Sequence, residues 1–303
     1  MSNKLFEKSN LLDALFFTES SLDPRLDFDF ILKETESDVL STIREAELDD
    51  FLSLYDVGLR LVIEIRDTLE NARPVQITYL VLISKVTTLL VGIRKAIHSG
   101  LPDVFKCLFR PLTEAFDMLY VCLIDSDFLN KYGNLNELYD NNQFWIKNAK
   151  QKHIKPKIHR LLNKLGDATA QIKFFDERRK RQHEFFSESL HSSFNSAIST
   201  FFTPTINGDI PLNAYGNVTT AYPKLFQEVL DELQLFNYVL FQLCNVDSPE
   251  PFCPQPLIDN KVYQHLAIKY HILYDDFMPR LYDFVDEINT SLTNSLDEYK
   301  SQE

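Results

Sequence analysis

Two pairs of side chains stand out by type and spacing. Arg110 and Glu114 lie one helical turn apart inside the apolar stretch 103–124, and Ser187 and His191 lie one turn apart after Phe185-Phe186. A guanidinium in an apolar helix needs an anionic partner, and Glu114 is the nearest on the same face. Ser187 and His191 sit about 40° apart around their own helix, on the flank of its phenylalanine face. The expectation is that the four converge in a buried polar network, with Glu114 bridging Arg110 and His191. Such a network suits either proton transfer or the fixing of helix register. A third pair, Arg178 and His183, is five residues apart and diverges by about 140° on a continuous helix. The same wheel sets His183 beside Phe186 and Phe194, as a packed core histidine.

Other chemistries are excluded by spacing. The seven glycines stand at least eight residues apart, so neither a G-x-G-x-x-G nor a G-x-x-x-x-G-K phosphate cradle exists. No G-x-S-x-G occurs. His153/His159 and His265/His271 are six apart and do not share a helix face, and the single Glu-x-x-His, Glu188 to His191, has no second copy. No metal site and no cofactor are expected. The four cysteines form no C-x-x-C, which suits reduced thiols and a cytoplasmic protein.

The charge is uneven. The chain carries 31 Lys and Arg against 44 Asp and Glu, a net charge of −13, yet residues 147–181 hold twelve basic and three acidic side chains. Arg178, Arg179, Lys180 and Arg181 close this segment. It can be a solvated face paired with the acidic ends of the same chain, or a nucleic-acid contact for a phosphate-rich partner.

Those residues need helices to position them, and apolar residues recur at three and four almost throughout, so the fold class is all-α. One long helix is expected over Ser37–Glu70. The next, running to His98, is apolar nearly all round and is expected to be central. It contains Lys85, so no membrane span is expected. Asp103–Ile124 pairs with it as a hairpin, and Asn134–Asn148 is weaker. Helical pattern then runs from Pro156 to Phe202 with an interruption at Gly166. Prolines and glycines in 203–223 make a long loop, either a lid or an insertion. Leu225–Cys244 and Leu257–Glu298 follow, the latter kinked or broken at Pro279. The organisation is an N-terminal arm and long helix (1–72), a core (73–202), the loop (203–223) and C-terminal helices packing on the core (224–303).

The R-x-x-x-E of Arg110 and Glu114, followed some seventy residues later by the aromatic-x-S-x-x-x-H of Phe185 to His191, resembles a family of uncharacterised prokaryotic helical proteins grouped with HEPN-like domains. The likeness covers about residues 75–200. Arg178-x4-His183 is similar to the HEPN ribonuclease motif. What the resemblance implies is a HEPN-like helical bundle with terminal extensions and a polar core site of Arg110, Glu114, Ser187 and His191, with Arg178 and His183 as the alternative. It implies RNA or nucleotide as partner, metal-independent ribonuclease activity or a degenerate relative of it, a defence or toxin-antitoxin setting, and a homodimer with helices 156–202 near the axis. The abundance of phenylalanine at 185, 186, 194, 201 and 202 fits such a dimer. The competing reading is a non-enzymatic interaction or scaffold protein with a structural network.

Overall fold

A computed structural model describes residues 24–70, 77–134, 142–166, 168–187, 203–208, 216–245 and 251–300. The fold is all-α. In chain order the helices are α1 (Pro24–Glu45), α2 (Asp49–Glu70), α3 (Ile77–His98), α4 (Pro102–Ile124), α5 (Ser126–Gly133), a π-helical turn (Trp145–Ala149), α6 (Gln151–Lys164), α7 (Ala168–Ser187), α8 (Tyr222–Asn245), α9 (Gln255–Asp259) and α10 (Lys261–Lys300). The only β pairing among the described residues is an isolated bridge, Thr205 to Thr219.

The expected single helix over 37–70 is two helices. The chain turns at Ala46–Leu48, where Glu47 has φ +56°, the Leu48 amide donates to Ile43 O (2.9 Å) and the Glu47 amide to Arg44 O (3.0 Å). This is the left-handed helix ending usually built on glycine. With glutamate there, no glycine or proline marks the break. Leu48 on its far side is fully buried, and its burial holds the turn. In the other direction, α10 runs unbroken through Pro279, where a kink or break is expected from sequence.

A three-residue turn joins α3 and α4 into the anticipated hairpin. Gly100 has φ +63°, and a Cβ there would sit 2.5 Å from the Asn217 amide nitrogen and 2.6 Å from Gly216. The Gly216 amide donates to Gly100 O (3.1 Å), so the neck of the 203–223 loop is docked on this turn. Gly100→Ala adds left-handed strain and a clash with backbone that cannot swing aside. Its expected cost is about 1–3 kcal/mol, measured by urea denaturation. A midpoint equal to that of the parent chain would show that the neck is not held there.

The helix at the centre is α4, packed by α3, α5, α6, α7 and α8. Thirteen of its residues are buried, from Phe105 through Leu123. The more apolar α3 is not the central one, for it keeps Ile77 and Val81 more than half exposed. Among the described residues it is the one helix long and apolar enough to cross a membrane, and its inner face is occupied by α2 and α4. The apolar core is continuous from α1 to α10. Buried tyrosines tie its helices together through backbone carbonyls, as in Tyr55 Oη donating to Leu90 O (2.6 Å), Tyr79 Oη to Cys122 O (2.9 Å) and Tyr270 Oη to Leu230 O (2.9 Å). These bonds satisfy the hydroxyls that burial takes out of water. All four cysteines are free thiols.

Candidate functional site

An open cleft of about 410 Å³ lies where α4, α6 and α7 meet the π-helical turn. From α4 it takes Arg110, Thr113, Glu114 and Asp117, the i, i+3, i+4, i+7 stripe that forms one helix face. From α7 it takes a parallel stripe, Phe175, Asp176, Arg179, Lys180, Gln182, His183 and Phe186. Gln151 and Lys155 come from α6, and Trp145 and Lys150 from the two ends of the π-helical turn and its exit. A π turn inside helical structure widens the backbone spiral and re-aims the side chains that follow, which is why such turns gather at functional sites.

Under the cleft is a buried ionic network. Arg179 forks onto Asp117 Oδ1 (Nε 3.0 Å, Nη2 2.6 Å) and onto Glu232 (Nη1 to Oε2 2.5 Å, Nη2 to Oε1 2.9 Å). Its Nη1 also donates to Gln182 Oε1 (2.8 Å), and its guanidinium lies over the Phe175 ring, 4.8 Å from the centroid. Arg178 binds Glu232 Oε2 from the other side and Asp231 O (2.8 Å). Gln182 donates to Glu228 (3.0 Å), and Gln151 to Asp117 (2.8 Å). Tyr274 and Tyr282 both donate to Asp231 Oδ1 (2.6 and 2.8 Å).

Burial alone would raise the Glu232 carboxyl, but the guanidiniums of Arg179 and Arg178 outweigh it and hold it down, from 4.5 to about 2. Asp117 and Asp231 go the other way. For both, burial prevails over their partners, and the carboxyl sits above its ordinary value. Two arginines thus share one strongly ionised glutamate, with less readily ionised aspartates at either side.

The sequence-derived candidates fall in different places. Arg110 and Glu114 do pair, at 3.3 Å, but the side chains are 41% and 38% exposed, so the expected burial is corrected. Their face of α4 fronts the cleft and not another helix. Arg110→Ala accordingly leaves no stranded buried charge, and its expected cost falls within the about 0–1 kcal/mol of an exposed pair. His183 is corrected in the opposite sense. It is exposed and lines the cleft, because the buried side of α7 is set by Phe175, Arg178, Gln182 and Phe186. The Ser187 side chain and His191 lie outside the described residues, as do Phe194, Phe201 and Phe202.

The four cations at 178–181 are not one surface. Arg178 is 1% exposed and committed to Glu232, so it cannot reach a phosphate in solution, which corrects its place among the nucleic-acid contacts. Arg179 is 12% exposed and engaged by the network. Lys180 and Arg181 are exposed. Much of the basic segment is paired internally. Lys155 and His159 both meet Asp176 at 2.8 Å, and Lys157 meets Asp125 at 2.7 Å. Within the cleft, Lys150 and Lys180 have no ion-pair partner among the described residues.

Phe186 stacks on Phe109 with centroids 4.2 Å apart, and Phe185 is partly buried. Both serve the core of their own chain, so neither is surplus for a dimer. The described parts of the 203–223 loop do not line the cleft. No group of side chains among the described residues could hold a metal ion.

Asp117, Glu228, Asp231, Glu232, Gln151 and Trp145 are not among the sequence-derived candidates. A signal was present for the acids of α8. Glu228, Asp231 and Glu232 share the i, i+3, i+4 face with Leu225, Val229 and Phe236, and acids on an inward face require buried cations. The chain matches no protein-family model, no curated protein and no solved structure.

Proposed function

We propose that this chain is a HEPN-like helical protein that binds RNA or nucleotide phosphate in the cleft between α4, α6 and α7. The observation that carries this reading is the pair Lys150 and Lys180, two cations without an internal partner among the described residues that open on one cleft beside Arg110 and an exposed histidine. A cleft of cations with a low-dielectric floor concentrates polyanions. Trp145 at the rim is 40% exposed, a stacking platform of the kind single-stranded nucleic acid uses. Arg110 is placed to meet a phosphate, and His183 to accept a proton from a ribose hydroxyl without any metal. The buried network beneath then acts as a rigid floor that sets the register of α4, α7 and α8.

The test is binding and cleavage of single-stranded RNA in excess chelator across a salt series. Affinity should fall steeply with salt, and Lys150→Glu with Lys180→Glu should flatten that slope by about one for each phosphate that is no longer neutralised. His183→Ala should stop cleavage and leave affinity nearly unchanged. Absence of binding at low salt would favour the second reading, a non-enzymatic scaffold, which the internal pairing of Arg178 and Arg179 supports.

A further inference from the structure

A second cavity, of about 290 Å³, opens where α3, α4 and α5 meet the start of the π-helical turn. Leu82, Ala115 and Met118, all buried, line its inner side. Three aromatic rings line it as well, Tyr132, Phe144 and Trp145, and the planes of the first two are inclined at 47° with centroids 5.7 Å apart. Phe144 also packs on Phe128, over whose ring the Lys157 ammonium stands 4.8 Å from the centroid, so this aromatic cluster already holds one cation. Two groups of opposite charge complete the lining, Lys85 of α3 and Glu114 of α4. Lys85 is exposed and has no ion-pair partner among the described residues. Arg110 engages Glu114 at Oε1 (3.3 Å), and among the described residues no hydrogen bond reaches Oε2.

We infer that this cavity binds a small zwitterion of the betaine class, a methylated ammonium that carries a carboxylate, with the ammonium among the three rings and Glu114 and the carboxylate on Lys85. Ring faces attract a cation through their quadrupole and ask for no N–H bonds in return, and the methyl groups of such a cation suit both the rings and the apolar inner side. A primary ammonium is strongly hydrated and brings three N–H donors that need acceptors, of which this lining has few. The two charges settle the rest by elimination. A plain cation meets Lys85, a plain anion meets Glu114, and an uncharged ligand leaves both side chains unused. A ligand with one charge of each sign engages both and brings no net charge into the cavity. The volume lies just below the roughly 300–1,000 Å³ span of small-molecule pockets, which suits a ligand of few heavy atoms. The inference does not rest on the phosphate reading, since neither Lys150 nor Lys180 lines this cavity.

Trp145 is the only tryptophan in the chain, so its emission reports this wall. The experiment titrates the full chain with three probes of nearly one shape, reading Trp145 emission and calorimetry together. Glycine betaine carries both charges, choline keeps the trimethylammonium without the carboxylate, and tert-butylacetate keeps the carboxylate with carbon in place of the charged nitrogen. The expected result is saturable binding of glycine betaine with a change in emission, and affinities about tenfold weaker for each of the other two. Lys85→Ala, at an exposed position on which the fold does not depend, should bring glycine betaine down to the affinity of choline and leave choline no weaker than before. A tert-butylacetate affinity equal to that of glycine betaine would overturn the ammonium site, because only the cationic nitrogen separates the two. Equal binding of choline and glycine betaine by the parent chain would overturn the pairing of the carboxylate with Lys85. No saturable binding of any probe at millimolar concentration would remove the whole inference.

Discussion

Glu232→Ala is expected to lower the unfolding free energy by about 3–5 kcal/mol, the cost of leaving buried charges uncompensated. Glu232 is fully buried and is the shared anion of two guanidiniums, one of them 1% exposed and the other 12% exposed. Without it, Arg179 retains Asp117, but Arg178 keeps only the carbonyl of Asp231. The Nε of Arg178 already lacks a partner, so the loss falls on the least satisfied cation of the network. Glu232→Gln keeps most of the hydrogen-bond geometry and removes the charge, and should cost less. Urea midpoints of the three chains decide the matter. A change under about 1 kcal/mol for Glu232→Ala, the range of an exposed pair, would mean that water reaches the network.

Acid unfolding is the second large effect, and its sign follows from the same carboxyl. Glu232 is held at about 2 in the folded chain against 4.5 ordinarily. The unfolded chain therefore takes the proton first as pH falls. The stability that the ionised Glu232 contributes is complete above pH 4.5 and is lost between there and about pH 2, an amount on the order of 3 kcal/mol. Asp117 and Asp231, raised by burial, work in reverse. The folded chain binds their protons first, so their ionisation costs stability at neutral pH and that cost is relieved on acidification. The expected profile is flat or gently rising from about pH 7 down toward 4.5 and falling below it. Subtracting the profile of Glu232→Gln from that of the parent reads the glutamate together with its coupling to Asp117, whose carboxyl the Glu232 charge helps to raise. A difference that stays constant from about pH 7 to about pH 3 would show that Glu232 is not the group whose protonation unfolds the chain.

Both effects come from a cluster whose acids, Asp117, Asp231 and Glu232, are absent from the sequence-derived candidates although its arginines are among them, and the reason is visible in particular residues. Arg110 and Glu114 are legible because they are neighbours on one helix, and an i, i+4 pair is decided by the helix spiral alone. Their exposure is not, since it depends on whether α7 closes over that face of α4 or stands off from it to leave a cleft. Arg178 and Arg179 are adjacent in sequence, yet one is sealed by Glu232 and the other also reaches across to Asp117. No run of basic residues distinguishes them before α8 is docked. The neighbours Phe186 and Phe194 point His183 to the apolar side of its helix, and it is the burial of Arg178 and Gln182 that turns that wheel.

By itself the sequence determined that the protein is all-helical, where most helices lie, that α3 and α4 form a hairpin, and that no glycine-rich phosphate cradle exists. Those properties follow from the 3.6-residue repeat, from turn residues and from spacing, all of which act over a few residues of chain. Only the tertiary structure decided that α4 and not the more apolar α3 is central, that Glu47 ends a helix without a glycine, and that α10 runs through Pro279. It also decided which cations of the basic segment face inward. Each of these outcomes is set by contacts between residues far apart in the chain, where burial of Leu48 or the pairing of Arg178 with Glu232 outweighs a local preference worth a fraction of the same energy.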